Sequence, residues 1–94
     1  VASRQMVHTA ASKLDNGADD ASVWCAMAKR FATDAGFAVV NDALQLHGGY
    51  GYTREFPVEK LLRDLRVHSI LEGTNEVMRV IVSRYLLGTD KELR

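Results

Sequence analysis

One carboxylate in this sequence sits where a base would be useful. Glu72 lies in His68-Ser69-Ile70-Leu71-Glu72-Gly73-Thr74-Asn75-Glu76, a polar break between two apolar-periodic segments. On a glycine-flanked turn just ahead of a helix start, a carboxylate has room beside it for a substrate and can act as a general base. The same placement also suits the helix macrodipole, and spacing alone favours that simpler account. A second stretch, Gln45-Leu46-His47-Gly48-Gly49-Tyr50-Gly51-Tyr52-Thr53, concentrates glycine. Such a run lets backbone N–H groups approach a phosphate or sugar, or makes a tight turn between helices. It is neither a Rossmann fingerprint nor a P-loop, because no strand precedes it and no Gly-Lys-Ser/Thr closes it.

The remaining candidates carry less. His47 and His68 lack a second ligand at metal spacing. Arg54, Arg63 and Arg66 could grip phosphates, but they read more simply as solvated helix-face charges. The single cysteine, Cys25, excludes an internal disulfide and reads as an inert near-core thiol between Trp24 and Ala26.

Four helices are expected to position these residues. Met6, Ala10 and Leu14 recur at spacing four and predict a helix over 1–14, closed by Asp15-Asn16-Gly17. Asp19 or Asp20 can cap the next helix, expected over 21–47. Its stripe of Trp24, Met27, Ala28, Phe31, Ala35, Ala38, Val39, Ala43 and Leu46 reads as continuous core, with Gly36 marking a close approach. Pro57 suits the first turn of a third helix, whose apolar face is Val58, Leu61, Leu62 and Leu65 and whose Glu59 and Arg63 pair at i,i+4. Thr74 or Asn75 caps the fourth, with Val77, Met78, Ile81, Val82, Tyr85 and Leu86 as its buried stripe and Gly88 as its end. Thr89 to Arg94 reads as a polar tail. The expected fold class is all-α: an antiparallel up-and-down bundle of three to four helices.

Composition narrows the function classes. Twelve basic side chains balance twelve acidic ones over 94 residues, so no basic face for nucleic acid is expected. No apolar run approaches the roughly 20 residues that span a bilayer, and nothing resembles a secretory leader. The chain opens on Val1, already in a helical pattern without a cap, which suggests it was cut from something longer.

Three blocks carry a resemblance: Gln45 to Tyr52, Pro57-Val58-Glu59-Lys60-Leu61-Leu62-Arg63-Asp64, and Ile70-Leu71-Glu72-Gly73-Thr74-Asn75-Glu76-Val77-Met78-Arg79. Together, with order and spacing kept from Trp24 to Leu87, they resemble the C-terminal signature of the acyl-CoA dehydrogenase family. The wording around Glu72 is most similar to isobutyryl-CoA and other short, branched-chain members. The resemblance implies that 1–94 is part of a C-terminal helical bundle, without the N-terminal helical and β-domains. It implies α,β-dehydrogenation of an acyl-CoA thioester, with Glu72 as the base and hydride transfer to flavin N5. Gly73 then lines the acyl-CoA site, and Thr74, Asn75 and Glu76 contact the flavin. Gln45, Leu46, His47, Gly48 and Gly49 touch the adenosine-diphosphate part of an FAD bound mainly by a neighbouring subunit.

The same resemblance implies a homo-oligomer, commonly a dimer of dimers, with electron-transfer flavoprotein as acceptor. It places the enzyme in fatty-acid or branched-chain amino-acid catabolism, in the mitochondrial matrix of a eukaryote or the cytoplasm of a bacterium. Leu71 stands where some straight-chain members carry an aromatic residue. Alone, this polypeptide is expected neither to bind FAD tightly nor to turn over, and to self-associate through apolar faces left uncovered. Two rivals stand beside this reading: an acyl-CoA-oxidase-like or nitroalkane-oxidase-like relative, and a non-catalytic helical binding or oligomerisation module. The nitroalkane oxidases typically carry aspartate at the base position, which Glu72 opposes.

Overall fold

The computed structural model describes residues 1–88; the predicted polar tail lies outside them. It contains four α-helices: α1 (Ala2–Asp15), α2 (Ala21–His47), α3 (Val58–His68) and α4 (Asn75–Leu86). A short 3-10 helix, Gly48–Tyr52, follows α2 directly. No strand occurs among the described residues. The chain is therefore all-α, as its periodicity requires.

The organising element is α2. At 27 residues it runs about 40 Å, and α1, α3 and α4 each pack against it and not against one another, while the 3-10 helix touches both α2 and α3. At its start the chain reverses: Lys13 of α1 donates to both carboxylate oxygens of Asp20 at 3.1 Å, and Trp24 Nε1 donates to the same group at 3.1 Å. Asp20 occupies the N-cap position of α2, yet its side chain caps nothing, because these two donors take it instead. The Lys13 bond holds the Asp20 carboxyl below its usual range. Its contribution to stability is present above that range and is lost as pH falls through the lowered value.

α3 and α4 lie in series along α2. Phe56, just before α3, meets His47 edge-on with ring centroids 6.2 Å apart, and Leu65 near its end faces Gly36. α4 continues in the same direction: its first residue bonds to Thr33 and Asp34, and Met78 and Val82 share a groove with Met27 and Arg30. Both thus run antiparallel to α2, end to end. Their junction is the turn that carries Glu72, and it lies over the middle of α2.

This arrangement leaves the bundle open. The Cα radius of gyration is 16.1 Å, against about 12 Å for a compact globule of this length. The buried apolar side chains are small and cluster towards the first half of α2: Ala21, Val23, Ala26 and Ala28, joined by Ala10 and Val58. The stripe predicted as continuous core is not one. Val39 is 67% and Leu46 89% exposed, because beyond residue 36 only α3 and the 3-10 helix cover α2. In α4, Leu86 is 75% exposed and Val77 is exposed too; Leu61 of α3 and Leu14 of α1 also face out. Periodicity identified apolar faces correctly, but several have no neighbour in this chain.

Gly36 has a neighbour and still has room. A Cβ built there would lie 3.7 and 3.9 Å from the Leu65 methyls, ordinary van der Waals separations. Gly36→Ala should therefore raise stability by about 0.5–1 kcal/mol through helix propensity. Thermal unfolding checks this, and a lower melting temperature would mean that Leu65 cannot accommodate the methyl.

Candidate functional site

The Glu72 turn is built from both of its ends. Ile70 and Leu71 N–H groups close the end of α3 onto Val67 O, at 2.9 and 3.0 Å. On the far side Thr74 is the N-cap of α4, its hydroxyl accepting from Val77 N–H at 3.2 Å. Between them the backbone turns left-handed twice, at Glu72 (φ 58°) and at Gly73 (φ 82°). Gly73 suits that conformation. A Cβ there would also come within 2.7 Å of Met78 Cε. Glu72 does not suit it: it is the one non-glycine residue with positive φ among those described, and such a conformation costs about 1–2 kcal/mol. Its side chain is exposed.

Below the turn lies a polar clamp. Asn75 is the one buried polar side chain among the described residues, 4% exposed. Its amide donates to Asp34 Oδ1 at 2.7 Å and to Thr33 Oγ1 at 2.8 Å, and its Oδ1 accepts from Lys29 Nζ at 2.6 Å. Lys29 also donates to the Gly73 carbonyl at 2.9 Å. Asn75 N–H closes the turn onto Ser69 O, again at 2.9 Å. The polar groups of the Asn75 side chain are thus engaged within the chain. Thr74 and Glu76 are placed differently. Beyond accepting from Val77, the Thr74 hydroxyl retains a proton to donate, and Glu76 N–H, at the exposed helix start, makes no bond among the described residues.

Thr74, Asn75 and Glu76 share a hollow of about 430 Å³ with Asp34, Phe37, Arg66, Ser69, Ile70 and Arg79. Arg66 is oriented by a 2.8 Å bond to Ser69 Oγ. The sequence singled out Arg66; it did not point to Arg79, which the i,i+4 spacing from Asn75 places on the same helix face.

The glycine-rich stretch lies elsewhere. Gln45, Gly48 and Gly49 line a second hollow of about 310 Å³ with Leu44 and Tyr52. Leu46 is exposed, and His47 is held by its Nδ1 contact to Ala43 O at 2.8 Å. The clamp grips α2 at residues 29–34 and α2 ends at 47, so the two sites stand about 20–27 Å apart along the helix. The glycines differ in purpose. Gly48 is left-handed (φ 64°), and a Cβ at Gly51 would press to 2.9 Å from Leu44 O. At Gly49 neither constraint applies: a Cβ would meet nothing within 4 Å. Among the other candidates, Arg54 and His68 are exposed, Arg63 pairs with Glu59 at 2.9 Å, and Cys25 is a half-buried free thiol. No group of three metal-ligating side chains occurs among the described residues.

The chain as a whole matches a known domain. Residues 1–87 match the family model of the C-terminal domain of acyl-CoA dehydrogenases. The chain belongs to the acyl-CoA dehydrogenase family. It is 59% identical to mitochondrial isobutyryl-CoA dehydrogenase of Bos taurus, over 93% of this chain and 21% of that protein. An acyl-CoA dehydrogenase of Bacillus subtilis is 49% identical, over 93% of this chain and 23% of its own length. The solved butyryl-CoA dehydrogenase of Megasphaera elsdenii superposes with a TM-score of 0.87 at 42% identity, covering 92% of this chain and 22% of that one. A chain solved in work on the electron transferring flavoprotein of Acidaminococcus fermentans gives 0.86 at 44% identity, with 92% and 22% covered. The chain thus spans about a fifth of the length of these relatives. Members of this acyl-CoA dehydrogenase family are FAD-dependent oxidoreductases.

Proposed function

We propose that this chain is the base-carrying part of an FAD-dependent acyl-CoA dehydrogenase acting on a short or branched acyl-CoA thioester. What supports the reading is the position of Glu72: an exposed carboxylate on a strained, clamped turn, within a family match that spans residues 1–87. FAD, when bound, supplies the acceptor for the β-hydrogen and its electron pair. Glu72 takes the α-proton, and the electrons of that C–H bond form the new Cα–Cβ double bond. Thr74 and Glu76 offer a hydroxyl and a free helix N-terminal N–H towards the flavin, consistent with an electron-rich group facing a helix start. Asn75 fixes the turn between them. Gly73 lets the turn beside the acyl-CoA site pass close to Met78 of α4, where a Cβ would not fit, and Leu71, half-exposed beside the base, forms an apolar wall suited to a short acyl group.

The second glycine site serves a different part of the assembly. At 20–27 Å along α2 from the clamp, Gln45 to Gly49 reach the adenosine-diphosphate portion of an FAD held mainly by a neighbouring subunit. Gly49→Ala separates this role from folding. In the full-length enzyme it should leave the melting temperature of the apoprotein unchanged and weaken FAD binding at least about tenfold. Unchanged FAD affinity would remove the glycine site from the proposal. Gly51→Ala, with its clash against Leu44, should instead destabilise the fold.

Base catalysis on an acyl-CoA needs a dry site, and Glu72 here faces solvent. The rest of the enzyme must therefore cover it, together with the apolar faces of α2 and α4. On the family resemblance we take the full-length protein to be a homo-oligomer, reoxidised by an electron-transfer flavoprotein, in the mitochondrial matrix or bacterial cytoplasm according to its host. The test is anaerobic titration of the full-length protein with isobutyryl-CoA and butyryl-CoA. The proposal expects flavin bleaching by these thioesters, strongest with the branched one. A protein without flavin, or one that none of these thioesters reduces, would favour the non-catalytic helical module.

A further inference from the structure

Lys29 is the least expected member of the clamp. Within 4 Å among the described residues its ammonium pairs with no carboxylate. Instead it donates to two neutral oxygens, Gly73 O at 2.9 Å and Asn75 Oδ1 at 2.6 Å. One is the carbonyl of the residue after Glu72; the other belongs to the first residue of α4. A single half-buried cation therefore ties both to the middle of α2, through charge-assisted bonds that are stronger than neutral ones. Its own position is fixed one turn along, where Thr33 Oγ1 donates to the Lys29 carbonyl at 2.7 Å and accepts from the Asn75 amide.

The turn needs such a tie. Glu72 is left-handed without being glycine, and a strained residue persists only where its surroundings over-determine it. Nothing in the local sequence does so. Asn75 N–H to Ser69 O closes the loop but does not fix the Gly73–Thr74 peptide, whose carbonyl is free to rotate once Lys29 is removed. With ψ of Gly73 and φ of Thr74 released, the turn can re-close with Glu72 at negative φ and its carboxylate swung away.

We propose that Lys29 is a positioning residue for the base: its bonds to Gly73 O and Asn75 Oδ1 hold Glu72 in the left-handed conformation that aims the carboxylate. The catalytic part of this inference rests on Glu72 being the base; the structural part does not.

The test uses the full-length holoenzyme with Lys29→Met, which keeps the chain length and removes the donor, and Lys29→Arg, which keeps the charge. Two readouts are taken. Amide hydrogen exchange of Ile70, Leu71 and Asn75, whose N–H groups close the turn, should accelerate about 10- to 100-fold in Lys29→Met while α1 and the rest of α2 are unchanged. Turnover should fall about 10- to 100-fold in kcat with KM within about threefold and flavin content intact, the pattern of a misaimed base. Lys29→Arg should recover part of both. If Lys29→Met fails to fold, Thr33→Val, which removes one Asn75 partner, should give the same pattern at about a third of the size. Unchanged exchange in the turn overturns the proposal. So does a loss of activity that merely follows loss of flavin or of folded protein. A wild-type enzyme that oxidises no acyl-CoA would defeat the functional reading, and the exchange readout would still decide whether Lys29 holds the turn.

Discussion

Glu72→Gln in the full-length enzyme should lower turnover at least about 10⁴-fold while leaving FAD bound and stability within about 0.5 kcal/mol. The amide cannot take the α-proton, yet it keeps the length and shape of the side chain, and the exposed carboxylate makes no hydrogen bond or ion pair in the described residues whose loss would unfold anything. Glu72→Gly sharpens the expectation. Glycine adopts φ 58° without the penalty that glutamate carries there, so this variant should be equally inactive and about 1 kcal/mol more stable. A gain in stability with a loss of function is the mark of strain retained for a purpose. Differential scanning calorimetry alongside steady-state assay measures both, and a less stable Glu72→Gly protein would mean that the turn is not strained.

The second large effect is structural. Asn75→Ala should destabilise the domain by about 2–4 kcal/mol, read from urea unfolding of the full-length protein. The substitution removes the partner of Lys29 Nζ, Thr33 Oγ1 and Asp34 Oδ1 at once, and it opens a gap between α4 and α2 that the longer, more exposed Arg79–Asp34 ion pair at 3.9 Å does not fill. The apolar core is small and built mainly of alanine and valine, so little else compensates. A loss below about 0.5 kcal/mol, the range of ordinary surface positions, would show that the clamp contributes nothing to holding α4.

What the sequence disclosed and what it concealed divide along a physical line. Signals confined to neighbouring residues were legible. The span of α2 follows from an uninterrupted pattern stopped by Gly48, Thr74 was one of two cap candidates for α4, and the Glu59–Arg63 pair was visible as an i,i+4 spacing. The clamp was not legible, because its bonds join residues 41 to 46 apart and no spacing rule links Lys29 to Asn75. Nor was the strain: a glutamate gives no sign that its backbone will be left-handed, and the adjoining glycine was the more natural candidate. The exposure of Val39, Leu46 and Leu86 was concealed for another reason. An apolar stripe says that a face is to be covered; it does not say that the cover lies in the same chain.

The candidate site divides the same way. Glu72, Gly73 and the Thr74–Glu76 start of α4 were placed by motif, and they form one continuous turn. That Gln45 to Gly49 stand far along α2 from that turn required the fold. Under the proposed function, that distance assigns the two stretches separate tasks.

The central claim is that Glu72 removes the α-proton. It is tested most directly by following exchange of the substrate α-hydrogen with deuterated water in the full-length enzyme, in the absence of an electron acceptor. The account predicts exchange of the bound acyl-CoA α-proton by the wild type and none above the uncatalysed rate by Glu72→Gln with its flavin in place. Exchange that persists in Glu72→Gln would contradict it and assign the base to another residue.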